Sequence, residues 1–516
     1  MTDASRGATR SSVAWWLLAL APWLLVTVRH WGWHPDARLG DHAQYLLHAL
    51  ALLDGRPYGD IGYLYHESVW GVGPETYPPG FPVTLAPIIA LFGREPGVFR
   101  ALNVVFVLLF AWAVSRALPR DVPTWQRALA AGLTALGMER SGGLLVPLSD
   151  PGFCVLLWGC VSVVDRTTTW TAWRTTLVTV LGAVAMAYRA PGVVLVPALL
   201  LFGLLRWLQW RGRPWVPVAV WGVAGLGALA VGLVQVPYRD LLGSTFRGAE
   251  QRWLLAWNEF RFACFEVMGY PFAGDRANDA WHLVGALALV LGAVVLVRRY
   301  RHTFLAVVVV AYAAMLLISP VANTRYYWPL YPLIALGLVT GLYTVAMRLR
   351  TLRSAEVVAA LMVVVMGGVV MRAWVQPPPH SITGDPAGEE MLQWVRSSAA
   401  GSEVRVAFHN PRLLTLRTGV PAMGMPDRTS DGHIEVLQAR RITHVVVPRD
   451  PWTDCVSALV AQLATKYPPW MRRTWENAGY TVYALQPSAV PTPGPWELIR
   501  WGHPEQYCPP GTLETR

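Results

Sequence analysis

The sequence has few charged residues and almost no lysine. Only 15% of the 516 residues are charged, 54% are hydrophobic, and Lys466 is the only lysine. Soluble domains average about 25% charged residues, so the composition excludes one large cytosolic enzyme. It also excludes a disordered or fibrous chain, because so much apolar surface cannot stay unburied. The class that remains is a polytopic membrane protein.

Cysteine is scarce as well. The five cysteines form no CxxC motif and no Cys/His cluster with the spacing of a zinc site. Cys154 and Cys160 lie in an apolar segment, which is typical of inert core thiols. Cys455 and Cys508 are able to form a disulfide only if the C-terminal segment faces an oxidising compartment.

The net charge of +11 is distributed in a way that sets membrane topology. A nucleic-acid-binding protein needs a basic face or a basic run, whereas here short arginine groups separate apolar segments. The groups are Arg206, Arg211 and Arg213; Arg298, Arg299 and Arg301; and Arg348, Arg350 and Arg353. This is the positive-inside pattern, and the sequence therefore predicts no nucleic-acid partner.

Apolar runs predict about eleven transmembrane helices, each near the roughly 20 residues needed to cross a bilayer. The first run, residues 13–28, follows Arg6 and Arg10, which places the N-terminus in the cytoplasm. Pro22 within this run should block cleavage by a signal peptidase, so we expect the helix to be retained. An odd number of spans leaves the C-terminus outside. The later spans are predicted near 98–117, 125–145, 151–165, 173–188, 191–207, 215–236, 281–297, 303–319, 327–346 and 356–375.

Two domains are predicted. Residues 1–376 form a transmembrane catalytic module, whose outer loop 29–96 contains juxtamembrane helices, one of them near 78–93. Residues 377–516, after Pro377-Pro378-Pro379, form a small extracytoplasmic α/β domain. Its patterns predict helices at 389–399 and near 456–467, and strands at 404–408, 443–447 and 480–485.

Two acids are candidates for chemistry at the outer surface. Asp41 precedes an apolar helical stripe, so it heads an amphipathic helix that suits the outer leaflet. Asp150 precedes Pro151 at the start of another helix. The alternative for both is a helix N-cap, since a carboxylate stabilises a helix N-terminus. Further polar residues of the outer loop are candidate substrate contacts: His42, Tyr58, Asp60, Glu75 and Tyr77.

Arg189 and Arg325 lie between apolar runs on the predicted outer side, where the positive-inside rule does not explain them. A charge at the membrane boundary without a topological role is a functional candidate. The guanidinium fork binds phosphate or carboxylate oxygens in pairs. The alternative is snorkelling to ordinary lipid phosphates. Together, the acids and arginines indicate group transfer from a lipid-linked phosphate: a carboxylate deprotonates an acceptor hydroxyl, and arginines stabilise the leaving phosphate.

An ordered set of motifs resembles the polytopic GT-C glycosyltransferases, in the branch of protein O-mannosyltransferases and lipid A aminoarabinose transferases (glycosyltransferase family 39). The resemblance covers about residues 10–375. The motifs are Asp41 in the first outer loop, Gly55-Arg-Pro-Tyr58, Tyr77-Pro-Pro-Gly80, Ser149-Asp150, Arg189-Ala-Pro-Gly192, and Arg325-Tyr326-Tyr-Trp-Pro329-Leu-Tyr-Pro332.

The resemblance implies a polyprenyl-phosphate-sugar donor, an inverting transfer and an envelope acceptor (lipid, glycan or protein) at the bacterial plasma (inner) membrane. It implies that Asp41 is the general base or the acid that orients the acceptor, and that Asp150 is a second active-site carboxylate. Arg325 would hold the donor phosphate, with Arg189 and Tyr326 as further contacts. Tyr77 stands where the family often has His, which leaves the acceptor class open. The spacing of the acids neither requires nor excludes a divalent metal.

Two other functions remain as alternatives. A transporter or flippase of lipid-linked sugars needs ionisable residues near the membrane midplane, whereas the polar residues here gather at the outer ends of the spans. The other alternative is a non-catalytic scaffold whose outer domain binds an envelope partner.

Overall fold

The computed structural model describes residues 3–31, 40–66, 73–167, 170–209, 249–318, 323–349, 353–376, 385–400, 403–425, 430–449, 460 and 464–486. The predicted span 215–236, Cys455 and Cys508 lie outside these residues, as does most of the helix predicted near 456–467. The chain divides into two units. The first, here called the helical unit, comprises Met1–Trp33, Pro78–Phe81 and Phe92–Pro378; the second, the mixed unit, comprises His34–Tyr77, Pro82–Leu91 and Pro379–Arg516.

Apolar runs of membrane-spanning length form most of the helical unit. Four segments are long and apolar enough to cross a membrane: Pro96–Ala117, Asp275–Tyr300, Thr324–Arg348 and Ser354–Val375. The other helices among the described residues of this unit are Asp3–Arg29, Thr124–Arg140, Ser149–Arg166, Ala172–Tyr188, Leu195–Gln209, Ala249–Met268, Phe304–Ile318 and Tyr331–Arg348, the last being part of the third candidate span. These helices confirm the prediction of a polytopic membrane protein. The count of about eleven spans stays a prediction.

Large aromatic side chains fill the core of the helical unit. Trp23, Trp158 and Trp328 are fully buried, as are Phe110 and Phe153, and each such side chain removes about 150–250 Å² from solvent. Cys154, Cys160 and Cys264 are buried free thiols, which confirms the prediction that the first two belong to the core.

One helix of this unit was not predicted from the sequence. Ala249–Met268 contains Glu259, Arg261 and Glu266 among its apolar residues, so no apolar run of sufficient length marks it. Another helix is shorter than predicted: the segment expected at 125–145 forms Thr124–Arg140 and is followed by a short 3-10 turn at Gly143–Leu145.

A six-stranded sheet organises the mixed unit. Its strands are β1 Tyr63–Leu64, β2 Val406–Ala407, β3 Ala422–Met423, β4 His444–Pro448, β5 Met471–Glu476 and β6 Tyr480–Leu485, in the order β1-β3-β2-β4-β6-β5. β1, β3, β2 and β4 are parallel neighbours, whereas β6 is antiparallel to both β4 and β5. The helices are Gly40–Leu53, Pro386–Ala399, Pro411–Thr418 and Ser430–Ala439, and the helix Gly80–Phe92 has residues in both units.

Alternation along the strands places apolar side chains on both faces of this sheet. Val446 packs with Leu392 and Leu413, whereas its neighbour Val445 packs with Ile434 and Leu437. Successive side chains of a strand point to opposite faces, so the sheet has helices on both sides.

The first outer loop contributes to this sheet, although the sequence predicted it as part of the transmembrane module. Tyr63 and Leu64 pair in parallel with Ala422 and Met423. Two-residue strands leave no readable alternation, which is why neither was predicted. β5 was missed because Arg472, Arg473 and Glu476 interrupt its apolar pattern. β2, β4 and β6 lie where strands were predicted, with β2 shorter.

Candidate functional site

Asp150 lies between two arginines of the helical unit. A nitrogen of Arg189 contacts its Oδ1 in an ion pair, and Nη1 of Arg325 lies 3.8 Å from its Oδ2. The side chains are almost enclosed, with 4% of Asp150 and 11% of each arginine exposed. The guanidinium of Arg189 also stacks over the ring of Tyr326, 4.8 Å from its centroid. We call these four residues the Asp150 cluster.

A tight turn places Arg189. The helix Ala172–Tyr188 ends directly before it, and Pro191 forces the chain into the 3-10 turn Ala190–Val194. Gly192 lies so close to the preceding helix that a Cβ there would be 2.6 Å from the carbonyl carbon of Ala185. Only glycine fits such a close backbone approach, so this turn fixes where the Arg189 side chain begins.

A second 3-10 turn, Thr324–Leu330, places Arg325 and Tyr326. The side chain of Asn323 caps it and accepts hydrogen bonds from both the backbone N–H and Nε of Arg325. The Tyr312 hydroxyl donates to the carbonyl of Tyr326 over 2.9 Å, and Trp158 Nε1 donates to the carbonyl of Pro329 over 2.9 Å. The turn is thus fixed at both ends.

Asp150 lies inside its helix and is not the N-cap residue. The helix Ser149–Arg166 has Leu148 as its N-cap, and no side chain caps it. Asp150 is in the first turn, where a carboxylate still favours the helix dipole, but its main partner is Arg189. Two guanidinium groups thus face one carboxylate in a nearly dry place. Guanidinium groups bind carboxylate and phosphate oxygens in pairs.

Asp41 belongs to a different cluster, in the mixed unit. It lies in the first turn of the helix Gly40–Leu53. The Tyr77 hydroxyl donates to its Oδ1 over 2.5 Å, and Arg412 Nη1 donates to the same oxygen over 3.2 Å. Arg412 also donates to the Tyr77 hydroxyl over 3.1 Å and stacks over the ring of Tyr63, 4.9 Å from its centroid. We call these four residues the Asp41 cluster.

Burial and charge set the protonation states in the Asp41 cluster. Burial raises the pKa of Tyr77 well above its usual value, and the charge of Asp41 raises it further. This phenol therefore stays neutral and donates a hydrogen bond to Asp41. Burial lowers the pKa of Arg412, but Tyr77, Tyr63 and Asp41 outweigh it and leave the pKa raised. The side chain of Asp41 is 30% exposed, which makes it the accessible acid of the two clusters.

The loop that carries Tyr77 is held by the same helix. Nδ1 of His48 contacts the carbonyl of Tyr58 over 2.8 Å, and the two rings stack with centroids 4.1 Å apart. The Tyr58 hydroxyl donates to the carbonyl of Tyr77 over 2.9 Å. Burial lowers the pKa of His48 to about 4, so this histidine is neutral at physiological pH and serves as a fixed support.

The other predicted substrate contacts divide by exposure. His42 is buried at 3% exposure, whereas Asp60 and Glu75 are exposed. Tyr58 joins the Asp41 cluster only through the backbone of Tyr77. Arg412 and Tyr63 were missed. One signal for Arg412 was present, because it follows Asn410-Pro411 in the first turn of a helix, where a cation is disfavoured unless an anion is near.

Among the described residues, no group of three or more His, Cys, Asp or Glu side chains converges that could hold a metal ion. Asp41 and Asp150 are each paired with arginine. A guanidinium beside a carboxylate repels a cation.

Comparison of the whole fold shows similarity to solved structures. ArnT from Cupriavidus metallidurans in the apo state matches with a TM-score of 0.55 and 14% identity, over 95% of this chain and 100% of that chain. ArnT bound to undecaprenyl phosphate matches with a TM-score of 0.54 and 14% identity, over 93% and 99%. The Archaeoglobus fulgidus oligosaccharyltransferase AglB, with an inhibitory peptide and a dolichol-phosphate, matches with a TM-score of 0.57 and 10% identity, over 94% and 75%.

The same archaeal enzyme has also been solved in complex with Zn and sulfate, and that structure matches with a TM-score of 0.56 and 12% identity, over 92% of this chain and 74% of that chain. No protein-family profile matches this chain, and no curated protein sequence does. The similarity confirms the predicted GT-C fold.

Proposed function

We propose that this chain is an integral membrane glycosyltransferase, which transfers a sugar with inversion from a polyprenyl-phosphate donor to an acceptor of the cell envelope. The observation that carries the proposal is the Asp150 cluster, in which two nearly buried arginines, Arg189 and Arg325, face one carboxylate. Guanidinium groups bind phosphate oxygens in pairs, and a phosphate is the group that links sugar to lipid in such a donor.

The carboxylate and the arginines of the Asp150 cluster have distinct parts in holding the donor. Arg325 supplies the guanidinium fork for two phosphate oxygens. Asp150 fixes Arg189 in place through their ion pair and balances its charge. As the bond between the sugar and the phosphate breaks, negative charge grows on the phosphate, and arginines already in place stabilise it without reorganising.

Asp41 is the proposed general base. Its carboxylate takes the proton of the acceptor hydroxyl while that oxygen forms a bond to the anomeric carbon of the sugar. The bond between this carbon and the phosphate oxygen breaks, and its electron pair leaves with the polyprenyl phosphate. Attack on the face opposite to the leaving group inverts the configuration. The partial exposure of Asp41 leaves the carboxylate open to an acceptor.

The structural neighbours support the class of donor. ArnT has been solved with undecaprenyl phosphate and AglB with a dolichol-phosphate, both of them polyprenyl phosphates. AglB has also been solved with a tethered acceptor peptide.

The proposed location is the bacterial plasma (inner) membrane, with the N-terminus in the cytoplasm and residues 377–516 outside. Helix ends support the orientation. Arg116, Arg166 and Arg348 each lie in the last turn of their helices, where the sequence places the cytoplasmic side.

Reconstituted protein tests this function. Proteoliposomes are given radiolabelled polyprenyl-phosphate sugars and an envelope extract as acceptor. The proposal predicts that label moves covalently to the acceptor, with one polyprenyl phosphate released for each sugar transferred. Label that crosses the bilayer but stays on its lipid would support the flippase alternative. Neither transfer nor crossing with any donor would support the scaffold.

A further inference from the structure

Arg412 approaches the candidate base from a distant part of the sequence. It lies in the helix Pro411–Thr418 and bonds to Asp41, 371 residues away. The helix is anchored near this contact, because the Asn410 side chain accepts from the backbone N–H of Leu413. Leu413 and Leu414 belong to the buried core of the mixed unit, so the helix does not rotate freely and the start of Arg412 is fixed.

The residue next to Asp41 permits this approach. A Cβ at Gly40 would lie 3.3 Å from Oδ1 of Asn410 and 3.7 Å from Cδ of Arg412. The first of these distances is tighter than most Cβ contacts, so a side chain would displace the corner at Asn410. Gly40 thus lets the two helix starts meet.

Arg412 and Tyr77 hold one carboxylate oxygen between them. Both donate to Oδ1 of Asp41, and Arg412 donates to the Tyr77 hydroxyl as well, which closes a triangle of three hydrogen bonds. The Arg412 side chain is only 10% exposed, so its charge is weakly screened. A triangle of this kind fixes the rotation of the carboxylate and favours its charged form.

We infer that Arg412 is a positioning residue for the transfer reaction, which together with Tyr77 holds Asp41 ionised and oriented toward the acceptor. This inference rests on the proposed function of Asp41. Arg412, although 371 residues from Asp41, thus takes part in setting the reactivity of the first outer loop. The helix Pro411–Thr418 has a part in the reaction through this residue.

The alternative is that Arg412 only joins two helices. Removing it would then lower stability and activity without changing how the reaction depends on pH. Titratable groups that contact this network include Tyr77, Tyr63, Tyr45 and His48. The pKa values of Tyr63 and Tyr77 are raised by burial, and that of His48 is lowered to about 4, so these three side chains are neutral at physiological pH. Arg412 is the cation that donates a hydrogen bond to Asp41.

Two measurements on the reconstituted full chain test the inference. The first is the pH profile of kcat/KM. Arg412→Gln should move its acidic limb up by about one pH unit or more, since a neighbouring arginine shifts a carboxyl by roughly 1–3 units. Arg412→Lys should restore most of the limb but not the rate, because an ammonium lacks the planar fork. Arg417→Gln is the matched control. Arg417 lies on the same helix in an exposed pair with Glu389, and its loss should change neither.

The second measurement does not need turnover. The infrared difference between the wild type and Asp41→Asn reports the Asp41 carboxylate. As the pH is lowered and the carboxylate is protonated, this band should be lost at a higher pH in Arg412→Gln than in the wild type. If Arg412→Gln does not fold, Tyr77→Phe removes one donor with little change in shape, and both readouts should move in the same direction by a smaller amount.

An acidic limb and a carboxylate band that stay in place in both Arg412→Gln and Tyr77→Phe would overturn the inference while leaving the proposed function intact. If the wild type transfers no sugar but the carboxylate band still shifts between the wild type and Arg412→Gln, the proposed function is overturned, and the role of Arg412 in the reaction with it. A double variant gives one more check. In the Asp41→Asn background, Arg412→Gln should cause no further loss of rate, because both act through the same carboxylate.

Discussion

The Asp41 and Asp150 clusters contain the same kinds of side chain, a carboxylate, arginine and tyrosine, but they differ in exposure and in charge balance. Asp150 is 4% exposed and lies between two arginines. Asp41 is 30% exposed, and one arginine and one phenol hold one of its oxygens. A buried acid with two cations is a fixed counter-ion, whereas a partly exposed acid with one cation is able to exchange protons. The two acids therefore differ in role, although the sequence presents both at the start of a helix.

The sharpest way to break this comparison is Asp41→Asn. It keeps the size of the side chain but removes the base, and we expect kcat/KM for transfer to fall by about 10²–10⁴-fold, the usual contribution of a general base. The measurement is sugar transfer in proteoliposomes. Asp54→Asn, in an exposed pair with Arg56 just after the same helix, should keep full activity. Wild-type transfer by Asp41→Asn would remove Asp41 from the mechanism.

Stability should separate the two acids in the opposite direction. Asp150→Asn leaves Arg189 without its buried partner, and such a loss costs about 3–5 kcal/mol, which should lower the thermal unfolding midpoint in detergent. Asp41→Asn should lower it much less, because solvent screens a partly exposed charge. Combining Asp150→Asn with Arg189→Gln should recover part of the loss. If both acids gave equal shifts, the assignment of Asp150 as a counter-ion would be wrong.

A smaller effect is expected at the donor phosphate. Arg325→Gln should lower kcat/KM for the donor by about 10²-fold, comparable with the loss of one preorganised donor at a developing anion. Arg325→Lys should recover only part, because its ammonium binds a phosphate as a point charge. Asp121→Asn, in an exposed pair with Arg299, is the control in the helical unit. An unchanged kcat/KM for the donor in Arg325→Gln would place the phosphate elsewhere.

The smallest effect concerns the support of the Asp41 cluster. The pKa of His48 is lowered to about 4 by burial, whereas in the unfolded chain it is near 6.5. Between these values the unfolded state binds more protons, so stability is complete above about pH 6.5 and falls as the pH drops toward 4. The loss is at most about 3 kcal/mol. The thermal midpoint followed from pH 7.5 to 4.5 should fall less steeply in His48→Asn than in the wild type.

Charges that the positive-inside rule does not explain marked the candidate site in the sequence. Arg189 and Arg325 were singled out because an arginine on the outer side needs a reason other than topology, and both contact Asp150. The order of the motifs predicted the GT-C fold. The apolar runs and their charge bias predicted a polytopic membrane protein, because both are local properties of the sequence. Helix Ala249–Met268 escaped because its polar residues interrupt every apolar run.

Contacts between residues far apart along the chain could not be predicted from the sequence. Nothing near Tyr63 and Leu64 indicates that they form a strand beside Ala422 and Met423, because two residues have no period. The same distance hides Arg412, whose partner Asp41 lies at the opposite end of the chain. The N-cap alternatives predicted the positions of Asp41 and Asp150 approximately, since both acids lie in the first turns of helices. They did not predict that each acid pairs with an arginine.

Pairing between the first loop and a late strand also has a consequence for synthesis. About 360 residues separate Leu64 from its partner Met423. At roughly 5–20 residues per second, β3 appears roughly 20–70 s after β1 has been made. During that interval β1 is an unpaired edge, a form of backbone that invites wrong partners, and Asp41 has no Arg412 beside it. The nascent protein therefore carries its candidate base while 371 further residues are made before the group that holds it exists, and activity should begin only after the helix Pro411–Thr418 has been made.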